Sequence, residues 1–161
     1  QLNRLMKFGY GVFHDIQCDG FNIDHLIVGP AGVYAVETKG RKKIERVDDK
    51  GNTKKQYKIV FTNDELYFPS WREKEPLEQA RRQAKWASKW LSQACGFDIA
   101  TKPVLSFPGW YIEYKSKPAV PVLTPNQFES FFTRESAVYN DKQIGQISYQ
   151  IRQKCENRLI D

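Results

Sequence analysis

Asp24, Glu37 and Lys39 are the side chains whose types and spacing could carry chemistry. They flank Gly29-Pro30-Ala31-Gly32, a turn signal set between runs rich in Ile, Val and Tyr. Asn22 to Val28 and Val33 to Lys39 therefore read as two strands of a hairpin. A turn centred between Pro30 and Ala31 pairs residues whose numbers sum to 61, so Asp24 faces Glu37. Their Cβ atoms would be roughly 5 Å apart on one side of the sheet, with Lys39 on that same side. A loop of odd length would shift this register and separate them. Two carboxylates so close within apolar strands are costly unless something neutralises them. A divalent cation does so, because Mg²⁺ takes one or two carboxylates together with phosphate and water. Such an ion acidifies a bound water, and a neighbouring lysine can hold that water or steady phosphate oxygens. These are the parts that phosphodiester hydrolysis requires. The plainer alternative is an ion-pair ladder on a solvated strand, since Glu-x-Lys triplets are common.

The elements that must position these groups are legible around the hairpin. Tyr10 to Gln17 reads as a strand before it, and the basic, polar segment Gly40 to Lys55 as an excursion from the core. Tyr57 to Phe61 and Glu65 to Phe68 form a second expected hairpin across Thr62-Asn63-Asp64. Glu75-Pro76 opens the clearest helix, with proline at the first position. Leu77, Ala80, Ala84, Ala87, Leu91 and Ala94 give it one apolar stripe, and Gly96 ends it. Short strands are expected around Pro103 to Phe107, Trp110 to Tyr114 and Ala119 to Leu123. Thr124-Pro125-Asn126-Gln127 starts a further helix with a capping box, and a last amphipathic helix carries Ile144, Ile147, Ile151 and Leu159. This order suggests an α/β mixed sheet flanked by helices.

The 161 residues fit one domain, and no run is long and apolar enough to span a membrane. Cys18, Cys95 and Cys155 lie far apart, without zinc spacing or a disulfide framework, which suggests reduced thiols in a cytoplasmic protein. His14 and His25 are the only histidines, and no local signature supports a Ser/His or Cys/His enzyme. The net charge of +6 suits a polyanion. Lys39, Arg41, Lys42 and Lys43 cluster after the hairpin, and Lys50, Lys54, Lys55 and Lys58 continue the cluster. Arg81, Arg82, Lys85 and Lys89 add charge on the helix beside Trp86 and Trp90. Stacking of bases on those tryptophans competes with packing against another element, the commoner use of such a pair.

The stretch from Asn22 to Gly40 holds an Ile-Asp-His run, a Gly-Pro-x-Gly turn and a Glu-x-Lys ending. It resembles the nuclease-related domain (NERD), a family of the PD-(D/E)XK phosphodiesterase superfamily. A looser likeness continues through Glu75-Pro76-Leu77-Glu78-Gln79, so the resemblance covers about Tyr10 to Leu91. It implies a restriction-endonuclease-like fold acting as a nuclease on DNA, dependent on Mg²⁺ or Mn²⁺. Asp24, Glu37 and the Thr38 carbonyl would bind the metal. Lys39 would be the catalytic lysine, and Gln79 would reach the site from the helix. Gln83, one turn later, is the weaker candidate. Arg41, Lys42, Lys43, Arg82 and Lys85 would contact the nucleic acid. His25 points away from Asp24 and is expected to be packed or hydrogen-bonded. The family usually carries an acid on a helix upstream of the first strand. The chain begins at Gln1, too late to show it, so a fragment lacking that helix is expected. The rival reading is a nucleic-acid-binding module with little or no catalysis, and a third is a protein-interaction domain of a larger chain.

Overall fold

A computed structural model describes residues 1–157. Its centre is a five-stranded sheet in the order β1-β2-β3-β9-β11, from Gly11–Gln17, Asn22–Gly29, Gly32–Thr38, Thr101–Ser106 and Val122–Leu123. The β2–β3 hairpin is antiparallel and carries the expected register, with His25 opposite Val36 and Gly29 opposite Gly32. Its turn depends on both glycines. Gly32 has φ +146°. At Gly29 a Cβ would lie 2.1 Å from the Tyr10 ring, which rests flat on the backbone there.

On its other side β3 pairs with β9 in parallel, Glu37 beside Leu105. Parallel neighbours need a long crossover, and helix α1 (Glu75–Cys95) supplies most of it. Its stripe of Leu77, Ala80, Ala84, Ala87 and Leu91 is buried, the alanines letting the helix lie close to the sheet. Lys74 caps its start and Gly96, at φ +79°, its end. Helix α3 (Asp141–Asn157) adds Ile147 and Ile151 to the same side, where Leu26, Val28, Val33 and Ala35 project. The expected apolar position Leu159 lies outside the described residues. The opposite side of the sheet packs Ile27, Tyr34, Val36 and Val104 on Leu2 and Leu5 of an N-terminal 3-10 turn. Phe128 and Phe132 of α2 (Phe128–Arg134) close that layer. Thr124 and Gln127 form the capping box ahead of α2, around a short 3-10 turn.

A second sheet, β10-β6-β7-β8, comes from Tyr111–Tyr114, Lys58–Thr62, Glu65–Tyr67 and Arg72–Glu73. The β6–β7 turn places Asn63 and Asp64 at φ +51° and +58°, as a two-residue hairpin of this twist demands. Ile59, Phe61 and Leu66 meet Leu77 of α1, Leu105 of the first sheet and Phe107 just beyond β9, so the two sheets share a core. The architecture is mixed α/β, with mixed sheets flanked by helices, as in restriction-endonuclease-like folds. One difference from the sequence reading stands out. The excursion after β3 is a separate ribbon, β4 (Ile44–Val47) with β5 (Thr53–Gln56), antiparallel and joined to neither sheet. Alternation there is charged on both faces, so no apolar period announces the strands.

Candidate functional site

The hairpin brings Asp24 and Glu37 to the ends of neighbouring strands, under the first two turns of α1. Thr38 N–H donates to Asp24 Oδ2 at 2.9 Å, tying the two strand ends together just beyond the last ladder pair. Glu37 is 6% exposed. Its Oε1 meets Lys39 Nζ at 3.2 Å and accepts from Gln79 Nε2 at 3.3 Å. Its Oε2 is buried with no hydrogen-bond partner, and so is Gln83 Oε1. Gln83 is 4% exposed, within hydrogen-bonding reach of Glu37, and its Nε2 donates to the Asn22 carbonyl at 3.4 Å. Burial, and then the Asp24 charge, push the Glu37 carboxyl above its ordinary pKa, outweighing what Lys39 offers in return. The site thus holds a buried, partly uncompensated carboxylate, with one oxygen that no hydrogen bond satisfies.

Such a donor set fits a hard divalent cation. Glu37 Oε2 and Gln83 Oε1 are buried oxygen acceptors without a hydrogen-bond partner, and Asp24 adds a second carboxylate. Among the described residues no group of three or more His, Cys, Asp or Glu is arranged to hold a metal. A bound ion would therefore keep several waters, which Mg²⁺ tolerates better than most ions.

The site residues expected from the sequence fall into two groups. Asp24, Glu37, Lys39 and Gln79 converge. Thr38 meets Asp24 through its N–H, while its side chain lines a cavity on the opposite side of the sheet. Gln83, ranked below Gln79, is the more enclosed of the two amides. The signal for it was its place inside the alanine stripe, where a polar side chain must find polar company. The basic residues are spread further apart. Arg41 is taken by Glu73, with two bonds of 2.8 Å, and Trp71 Nε1 supports that carboxylate at 3.1 Å. Lys42 is exposed, and Lys43 is half-buried against Gly109. Arg82 is exposed and paired with Glu75 at 2.5 Å, while Lys85 is exposed.

His25 is hydrogen-bonded, as expected, but at the rim of a cavity. Its Nδ1 lies 2.8 Å from Nδ1 of His14, its direct partner on β1. Burial lowers its pKa, as does His14, against the pull of Asp24. That cavity, of 810 Å³, opens on the face of the sheet away from the carboxylates. Trp86 and Trp90 pack against the core, with Lys154 of α3 about 5 Å over both rings, which leaves no free stacking platform there. The three cysteines are free thiols. No helix among the described residues is long and apolar enough to cross a membrane.

A family model described as the nuclease-related domain matches residues 1–108. No curated protein and no solved structure gives a match.

Proposed function

We propose, on the premise that this chain belongs to the nuclease-related domain (NERD) family, that it is a metal-dependent nuclease hydrolysing phosphodiester bonds in DNA. One observation supports this above the rest: a buried Glu37, opposed to Asp24 and bonded to Lys39, keeps one carboxylate oxygen without a hydrogen-bond partner. A structural ion-pair ladder would have no use for that arrangement, because an unpaired buried oxygen costs about 1–3 kcal/mol.

Asp24 and Glu37 would hold Mg²⁺ or Mn²⁺, with the Thr38 carbonyl as a third donor. When bound, the ion supplies an acidified water and a charge facing the phosphate oxygens. The residues of the chain do the remainder. Lys39 Nζ, anchored on Glu37, orients the attacking water and stabilises oxygens that gain charge. Gln79 holds Glu37 from the helix side, fixing its rotamer. Lys42, Lys43 and Lys85 would meet the phosphates on either side. Arg82, held only by an exposed pair of little strength, can exchange Glu75 for phosphate. Arg41, committed to Glu73, serves the nucleic acid by holding the segment that carries its neighbours.

The test is incubation of the purified protein with circular and linear DNA in Mg²⁺, Mn²⁺ and EDTA, beside Glu37→Ala. Metal-dependent nicking that vanishes in the variant supports the enzyme, and cleavage that survives it refutes these roles. The second reading, a catalytically weak or silent nucleic-acid-binding module, is favoured by the pair of carboxylates where three acidic groups would hold a metal more firmly. Salt-sensitive DNA binding with no cleavage in either metal would establish it.

A further inference from the structure

The segment from Arg41 to Lys58 holds eight basic and three acidic residues, a net +5 within a chain of net +6. Almost the whole excess positive charge of the protein is thus carried by the β4–β5 ribbon and its roots. Within the ribbon, Arg46 stands directly opposite Lys54. Like charges facing one another across a strand pair destabilise it. The other residues on that face, by strand alternation, are Ile44 and Gln56, and among the described residues no carboxylate pairs with Arg46 or Lys54. Two of the three acids nearby, Glu45 and Asp48, are otherwise engaged or turned away. Glu45 lies on the reverse face beside Lys55, at 4.0 Å, and Asp48 Oδ1 accepts from Lys50 N–H and Asn52 N–H at 2.9 and 2.8 Å.

Those two bonds also tie the turn at the tip together, as does Asp48 N–H donating to the Asn52 carbonyl. The root is equally fixed. Arg41 is clamped by Glu73, and its carbonyl accepts from Trp110 Nε1 at 3.2 Å. A two-stranded ribbon gains little stability on its own in water. This one is nevertheless held out from both sheets, with Val47 at its tip 69% exposed. A groove of 690 Å³ separates it from the second sheet, lined by Lys54, Tyr57, Lys58 and Tyr67 among others.

We propose that the β4–β5 ribbon enters the major groove of double-stranded DNA, with Arg46 and Lys54 against one phosphate backbone and Val47 toward the base edges. A ribbon of two strands matches the roughly 12 Å width of that groove. The deep, narrow major groove of duplex RNA does not admit it. The ribbon begins five residues after Lys39, so a duplex seated on it passes beside Glu37. The inference rests on the nuclease reading only for nucleic acid as the polyanion.

The experiment measures binding of a 25-base-pair DNA duplex by fluorescence anisotropy in EDTA, across a salt series. Wild type is compared with the double substitution Arg46→Gln, Lys54→Gln, and each is also titrated with duplex RNA and single-stranded DNA of the same sequence. Both side chains are exposed, and matching melting curves verify the fold. The expected result is preference for duplex DNA. In the variant, affinity should fall at least about tenfold near 0.1 M salt, and the log–log salt slope should shrink by about 2. Unchanged affinity and slope, or equal or tighter binding of duplex RNA or single strands, overturns the proposal. Ribbon-dependent duplex binding without cleavage in Mg²⁺ upholds the ribbon while the nuclease reading fails. Cleavage with ribbon-independent binding does the reverse.

Discussion

Replacing Glu37 by glutamine should stabilise the metal-free protein while removing its response to metal. The charge of Glu37 is opposed by burial and by Asp24, and its Oε2 has no partner. An uncharged amide removes both penalties. Lys39 is not stranded by the change, because it also acts favourably on the carboxyls of Glu73 and Glu75. The Lys39 contact weakens, so the expected gain is the lower part of the range for an unsatisfied buried group, about 1–2 kcal/mol. For a chain of this size that is a rise in Tm of about 2–8 °C. The pH dependence has a definite sign. A carboxyl whose pKa is raised by folding favours the folded state while protonated. That contribution is whole below the unfolded value of about 4.3 and is lost as pH climbs through the raised folded value. The variant should therefore melt close to wild type near pH 4 and above it at pH 7.5. With Mg²⁺ at one hundred times Kd, wild type should gain about 2.7 kcal/mol, and the variant much less. Scanning calorimetry at both pH values, in EDTA and in Mg²⁺, measures all of this. A variant that melts below wild type at pH 7.5 in EDTA, or that gains as much from Mg²⁺, would refute the reasoning.

Lys39→Met should lower the cleavage rate about 10²–10⁴-fold while DNA affinity changes only a few-fold, and single-turnover kinetics beside a binding titration separate the two. Gln83→Leu should leave the fold intact but weaken Mg²⁺ binding about 10–100-fold, the usual effect of losing a group that supports metal ligands, read by calorimetric titration. Gly29→Ala drives a methyl into the Tyr10 ring. It should cost about 1–3 kcal/mol, visible as a lower denaturation midpoint, and a neutral result would mean that ring moves freely. Phe132→Ala empties the layer beneath Tyr10 and Tyr34, with an expected loss of about 3–5 kcal/mol in chemical denaturation.

The chain itself specified the hairpin, its register and the helix above it, because each depends on short-range physics. Gly29 and Gly32 allow the turn, side chains alternate along β2 and β3, and Pro76 and Gly96 bound the alanine stripe of α1. Asp24, Glu37 and Lys39 could therefore be placed on one side of one sheet before any fold was known, while Gln79 came from the family resemblance. What lay beyond local pattern had to come from the tertiary structure. Gln83 meets Glu37 only because α1 crosses directly over β3, and the bare oxygens there result from burial, which no sequence period reports. Arg41 looked like any other member of a basic run until the fold delivered Glu73 and Trp110 to its two ends. The β4–β5 ribbon hid for a related reason: it buries almost nothing, so the alternation that betrays a half-buried strand is absent. His14 and His25 sit eleven positions apart and share a hydrogen bond only through the pairing of β1 with β2. Local preference decided which elements form, and the packing of distant elements decided which polar groups were left without partners.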